Sequence, residues 1–195
     1  RPSFILTPGW ATPGYLPGPP AAGRWHVLLG LYKLAPAGCD VRIEIRWELA
    51  EPGVTFTPAP VSWDGLFGRA ARQGAGWYRG DLHSHSHHSE AQGSLHDLLA
   101  AAQAQGLDFM AITEHNTVSH LIEMAGRPEP PSPLVIPAME ITTYHGHANA
   151  LGIRRWHDFR CRTAAQMAAL CAEVQAEGAL FVVNHPKVTG PPWEW

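Results

Sequence analysis

The sequence is short of cysteine, short of charge and short of long apolar runs, and each shortage argues against a class of protein. Three cysteines among 195 residues, Cys39, Cys161 and Cys171, lie far apart, show no C-x-x-C spacing and cannot all pair within one chain. A reduced, cytoplasmic protein is the expectation. Charged residues make up 16% of the chain and the formal net charge is −3. Duplex nucleic acid and anionic membranes demand a clearly basic face, so neither long nucleic acid nor a membrane is an expected partner. No uninterrupted apolar run approaches the roughly 18 residues of a membrane span. The opening RPSFILTPGW lacks the basic-then-apolar order of a secretory signal. The first residue is Arg and not Met, from which a processed chain or a piece of a longer one is expected.

What is present divides into two grammars. Residues 1–62 are rich in Pro and Gly around VRIEIRWEL, where Val41, Ile43, Ile45, Trp47 and Leu49 alternate with charged neighbours. That period predicts a half-buried antiparallel strand, HVLLGLY predicts a second, and LAPAGCD supplies turn residues between them. A small all-β, sandwich-like domain is expected over 1–62, with an aromatic, glycine-rich connector over 63–79 packed on both neighbours. From Gly80 onward helix and strand signals alternate. Ser94 and Asp97 form an S-x-x-D cap before LLAAAQAQ, with Gly106 at the expected stop. Thr163 and Gln166 open AAQMAALCAEVQAE, and Gly178 closes it. LDFMAIT, LVIPAMEIT, ANALGI and ALFVV read as buried strands, so a parallel α/β layout is predicted for residues 80–195.

Metal-binding side chains then fall at strand ends. GDLHSHSHHSE, residues 80–90, packs four histidines and two carboxylates into eleven positions. Glu114, His115 and Asn116 follow LDFMAIT, Glu140 lies within LVIPAMEIT, His145 and His147 precede ANALGI, and Asn184 and His185 follow ALFVV. Carboxyl ends of parallel strands open on one face, which would gather residues far apart in sequence. On a strand, H-x-H sends His83 and His85 to the same side. Imidazole with carboxylate suits Zn²⁺, Mn²⁺ or Fe²⁺, whereas an all-oxygen set would favour Mg²⁺ or Ca²⁺.

Together DLHSH, the Ser89–Glu90 pair, ITEHN, EIT, GHANALG and NHP resemble the polymerase and histidinol phosphatase (PHP) domain family, in particular its branch of metallohydrolases similar to carbaryl hydrolase. The resemblance covers residues 80–195, and the first 60 residues look like the β-domain that some members of that branch carry ahead of the catalytic part. It implies a distorted (β/α)7 barrel with a site for two or three divalent ions, Zn²⁺ first, with Mn²⁺ and Fe²⁺ as alternatives. In that pattern His83, His85 and Glu140 hold a first ion. Glu140 bridges to a second held by His147 and His185, and Glu90 with His115 serves a third. Glu140, His115 and His185 are the residues expected to carry catalysis. The chain departs from the family in having Glu90 where an Asp is usual and Glu114 in place of the Asp of T-D-H. Glu114 is read as orienting a ligand histidine. A late D-x-H motif belongs to the family pattern, but none follows His185, so the barrel is expected to be incomplete at its C-terminus.

The resulting expectation is a metal-dependent hydrolase acting on a small molecule, a phosphate ester first, with a metal-bridging hydroxide as nucleophile. Ester, amide or carbamate hydrolysis by the same site is the catalytic alternative, and nuclease action on oligonucleotide ends is disfavoured by the absent basic track. A degenerate metal-binding or interaction module is the non-enzymatic one. Other histidines receive plainer readings. His87 is expected on a surface loop, and His88 lies in the motif but outside the ligand set. His26, His96, His120 and His157 are expected to be exposed or capping. His147 is preferred to His145, because it follows Gly146 in the family text. Asn184 is read equally as a donor behind the ligands or as the polar end of a strand. Lys187 is a weak candidate for meeting a substrate phosphate. Met167, Leu170, Cys171 and Val174 have helical spacing and are read as core.

Overall fold

A computed structural model describes residues 3–30, 34–48, 62–71, 74–127, 132–187 and 192–195. Its ordered centre is a sheet of strands β1 (Gly80–Ser84), β2 (Phe109–Ile112), β3 (Leu134–Thr143), β4 (Gly146–Leu151) and β5 (Leu180–Val183), in the order β1-β2-β3-β4-β5. Helices α1 (Leu95–Ala104), α2 (Ser119–Ala125) and α3 (Ala164–Ala176) connect them.

The boundaries of α1 and α3 follow the caps written in the sequence, whereas α2, which the sequence did not announce, starts after Val118 without a side-chain cap. The Ser94 side chain accepts from the Asp97 backbone N–H, and the Asp97 carboxylate accepts from the N–H of Ser94 at 3.0 Å, a reciprocal box that satisfies two otherwise unpaired donors. Thr163 caps α3 by accepting from the N–H of Gln166. Gly106 and Gly178 follow the two helices at φ +66° and +80°, a conformation glycine adopts without a Cβ penalty. The helices bury their apolar sides on the sheet. Leu95 and Leu99 of α1, Leu121 and Met124 of α2 and Met167, Leu170 and Val174 of α3 meet Met110, Ile112, Met139 and Ile141 in one cluster.

The layout is not wholly parallel. β1, β2 and β3 are parallel neighbours, but β4 is antiparallel to both β3 and β5. The reason is the length of the link: only Tyr144 and His145 separate β3 from β4, whereas a parallel crossover needs a dozen or more residues. The reversal positions the site, because it puts the first residues of β4 at the rim where β3 ends. The sheet is also strongly curled. Asn149 of β4 donates its Nδ2–H to the carbonyl of Leu82 in β1 at 3.1 Å. Three strand spacings in a flat sheet would set those strands about 14 Å apart. Together these elements make the curled half of a barrel.

Trp63, in the connector, is buried and donates its indole N–H to the carbonyl of Ile153 at 2.9 Å, fixing that segment on the α/β part. The small β-domain expected over 1–62 is not shown. Described residues 34–48 contain no strand, and Val41, Ile43, Ile45 and Trp47 are 50% to 68% exposed. Residues 31–33 and 49–61, which hold the ends of both expected strands, lie outside the described residues. Two histidines correct the sequence reading: His120 and His157 are fully buried. His157 lies between Glu173 of α3 (Nδ1 to Oε1, 3.0 Å) and Glu177 just past its end (Nε2 to Oε2, 3.4 Å), acids one turn apart that no local pattern connects to it.

Candidate metal centre

Glu140 is the hub. Its backbone sits in β3, joined to the segment after β2 by Glu140 N–H to the Glu114 carbonyl (3.0 Å) and Asn116 N–H to the Glu140 carbonyl (2.9 Å). Its side chain is 1% exposed inside the curl of the sheet. Oε2 lies 3.2 Å from His83 Nε2, 3.3 Å from His85 Nε2 and 3.2 Å from His115 Nδ1. On the other side Oε1 lies 3.2 Å from His147 Nδ1 and 4.0 Å from His185 Nε2. Asn184 donates to Oε1 at 2.9 Å. Five imidazoles from separate parts of the chain thus face one buried carboxylate, three on one oxygen and two on the other.

Each arrives for a local reason. His83 and His85 share a side of β1 through the two-residue period of a strand. His115 follows β2 and forms an isolated parallel bridge with Glu140. The next residue, Asn116, has φ +59°, and its side chain accepts from Thr142 N–H (2.8 Å) and donates to the Thr142 carbonyl (3.0 Å), tying the turn to β3. His147 pairs with Thr142 across the β3–β4 ladder, delivered there by the reversal of β4. His185 follows β5 with φ +30°. Glu90, half-exposed in the loop after β1, brings Oε2 against His115 Nε2 and Oε1 to 3.8 Å from His85 Nε2.

Ligand atoms within 4.8 Å of one another define three groups here: His83, His85 and Glu140; His85, Glu90 and His115; and His115, Glu140 and His147. The first has the membership expected for one ion. In the second, His85 joins the expected pair Glu90 and His115. In the third, His115 stands beside His147 and Glu140, while His185 is set slightly back, its ring 5.0 Å from that of His147. His145, the competitor of His147, is more than half exposed and turned to Glu194, with Nδ1 3.1 Å from Oε2.

Charge follows the geometry. Burial alone would raise the Glu140 carboxyl, but contacts from His147, His85 and Asn184 outweigh it and hold the group well below the usual carboxylate range. His85 is lowered by burial and raised more strongly by Glu140 and Glu90, for a net rise. His115 is lowered, burial leading over the attraction of Glu140 and Glu90. An ionised, nearly inaccessible carboxylate ringed by imidazole nitrogens is a donor set that fits borderline divalent ions.

Behind the ring lies a polar layer that the sequence signalled only weakly. Asn184 also donates to Asn149 Oδ1 at 2.8 Å, so Glu140, Asn184, Asn149 and the Leu82 carbonyl form one chain. Asn184 is therefore a hydrogen-bond donor to Glu140 as well as the residue that follows β5. Asn149 had a signal, a lone amide inside the apolar run ANALGI. Thr142, whose hydroxyl meets His115 Nδ1, had none. Glu114 corrects the sequence reading. It is fully buried and accepts from Ser86 N–H at 2.8 Å and from the hydroxyls of Ser86 and Ser89. It orients no histidine by hydrogen bond; it holds the loop between β1 and α1. Burial raises its pKa, opposed by the serine hydrogen bonds.

Residues 81–177 match the family model of the PHP domain. PHP domains generally are metal-dependent hydrolases, and the match supports the resemblance carried by DLHSH and ITEHN. It spans β1 through α3, including His83, His85, Glu90, His115, Glu140 and His147, and stops before His185. No curated protein matches the chain. Among the described residues, no helix is long and apolar enough to cross a membrane.

Proposed function

We propose that this chain is a metal-dependent phosphoesterase of the PHP type, in the carbaryl-hydrolase-like branch, acting on a small phosphate ester in the cytoplasm. The observation that carries it is the division of the Glu140 carboxylate: Oε2 faces His83, His85 and His115, and Oε1 faces His147 and His185. A carboxylate with histidines on both oxygens is built to bridge two ions. His83 and His85 would serve one, His147 and His185 the other, and Glu90 with His115 a third, with Zn²⁺ first for this nitrogen-rich set. Bound divalent ions would supply an activated water and a clamp on the substrate oxygens, lowering the pKa of water from about 15.7 toward 7.

The protein's own contribution is positioning. Asn184 and Asn149 fix the plane of Glu140, so neither carboxylate oxygen must reorient when charge develops. The Asn116–Thr142 pairing holds the His115 turn to β3, and Thr142 orients the ring through Nδ1. Glu90 stands at the open side, half-exposed, where a substrate would approach. The modest net negative charge supports a small substrate over a long nucleic acid.

The test is hydrolysis by the protein loaded with Zn²⁺ or Mn²⁺, comparing an aryl phosphate with an aryl carbamate, and Glu140→Ala as control. Phosphate turnover lost in Glu140→Ala supports the proposal. Faster carbamate than phosphate turnover would replace it with a carboxyl-group hydrolase. No turnover of either would leave a binding module.

A further inference from the structure

The segment VRIEIRW, residues 41–47, has the residue pattern of a strand and lies open on the surface. Arg46 Nε donates to Glu44 Oε1 at 2.7 Å, and Arg42 Nη2 lies 3.8 Å from Glu44 Oε2, so three charged residues two positions apart share one side. Val41, Ile43, Ile45 and Trp47 alternate with them, are each at least half exposed and belong to neither buried cluster. Among the described residues, none forms a backbone hydrogen bond with residues 40–48. We propose that residues 42–48 pair with the same residues of a second copy of this chain, as an antiparallel two-stranded ribbon centred on Ile45.

The self-complementarity of the segment carries the proposal. In a two-fold pair centred on Ile45, that residue faces Ile45 of the second copy, Glu44 faces Arg46, Arg42 faces Glu48 and Ile43 faces Trp47. Directly opposite residues point to the same face of a ribbon. One face therefore carries only charges, each opposite the other sign, and the other face carries only apolar side chains. Neighbouring registers fail. Centred on Glu44, the pair sets Glu44 on itself and Arg42 on Arg46; centred on Arg46, it sets Arg46 on itself and Glu44 on Glu48. A centre between two residues puts charged side chains against apolar ones, and a parallel in-register pair puts every charge on its like. Like charges directly opposite are destabilising, so the pattern selects one orientation and one register.

Folding back within one chain fits less well. The turn in which Gly38 N–H donates to the Ala35 carbonyl at 2.9 Å sets the register of a hairpin with residues 26–30. In that register Leu29 faces Glu44 and Val27 faces Arg46, apolar against charged. A row of unpaired backbone groups beside exposed apolar side chains is a template for a further strand. A patch that matches itself about a two-fold axis makes an isologous contact, which ends at two copies.

The test is sedimentation equilibrium of the full chain over a wide concentration range, and a dimer is expected. Arg46→Glu sets carboxylate against carboxylate twice and should weaken the dimer roughly tenfold or more. The double variant Glu44→Arg/Arg46→Glu restores opposite signs and should return the parent affinity. A monomer at every concentration, a dimer unmoved by Arg46→Glu, or a double variant as weak as the single one overturns the proposal. Should a variant fail to fold, disulfide trapping decides. With the exposed Cys39 replaced as Cys39→Ser, Ile45→Cys places two thiols opposite each other, and oxidation by copper–phenanthroline should cross-link it into dimers faster than Ile43→Cys, whose position faces Trp47. Equal rates for the two overturn the proposal.

Discussion

Asn184 and Glu140, 44 positions apart in the chain, meet through a 2.9 Å hydrogen bond buried behind the histidine ring. The amide donates to the one oxygen that also faces His147 and His185. It therefore stabilises the ionised carboxylate and sets its orientation at once.

Asn184→Ala removes that donor and leaves Glu140 turning more freely. Loss of such a partner behind a metal ligand typically costs about 10- to 100-fold in metal affinity. Competition titration with a chromogenic chelator should show a weakening in this range, and an unchanged affinity would mean that Asn184 only terminates β5.

His120 makes stability depend on pH. It is fully buried, and burial first, then the neighbouring His88, pushes its pKa down to about 3 from an ordinary 6.5. The unfolded chain thus binds one more proton between those values, so this group's contribution is complete above pH 6.5 and is lost as pH falls toward 3. The slope is about 1.4 kcal/mol per pH unit. Urea unfolding of the metal-free protein across that window should be steeper in pH than that of His120→Gln, and parallel curves would contradict the assignment.

Gly146 lies where the chain reverses into β4, at φ +131°, and a Cβ there would meet Trp193 Cε3 at 2.8 Å and its Cα at 3.0 Å. Gly146→Ala should destabilise the protein by about 1–3 kcal/mol in urea titration. It should also weaken metal binding, since His147 is the next residue. Stability equal to the parent's would show that the 192–195 segment yields without cost.

Chelation should lower the melting temperature. Ions held at about 100 times their Kd contribute about 2.7 kcal/mol of folding stability, which a strong chelator removes. Differential scanning calorimetry should show a smaller chelator effect in Glu140→Ala than in the parent. Equal effects would place the stabilising ion elsewhere.

Helices α1 and α3 and the ligand types were legible because their signals are local, whereas α2, which starts without a side-chain cap, was not. Ser94 with Asp97, Thr163 with Gln166, and glycines at the helix ends act within one turn of backbone. H-x-H works through the strand period. The direction of β4 was less legible: ANALGI reads as a strand in either sense, and only the two-residue link after Thr143 forces the reversal. The roles of His120, His157 and Glu114 were not legible. No local pattern announces their burial, which for His157 goes with Glu173 and Glu177 and for Glu114 with Ser86 and Ser89, partners brought by other elements.

By itself the sequence determined where α1 and α3 start and stop, that nitrogen and oxygen donors cluster in and just after the strands, and that PHP-type motifs run in order through the chain. These are properties of neighbouring residues, fixed by backbone hydrogen bonding and side-chain period. The tertiary structure alone decided that one carboxylate, Glu140, faces five histidines with both oxygens, and that two asparagines hold it in place. That arrangement depends on the curl of the sheet and the reversal of β4, which close distances that no local interaction spans.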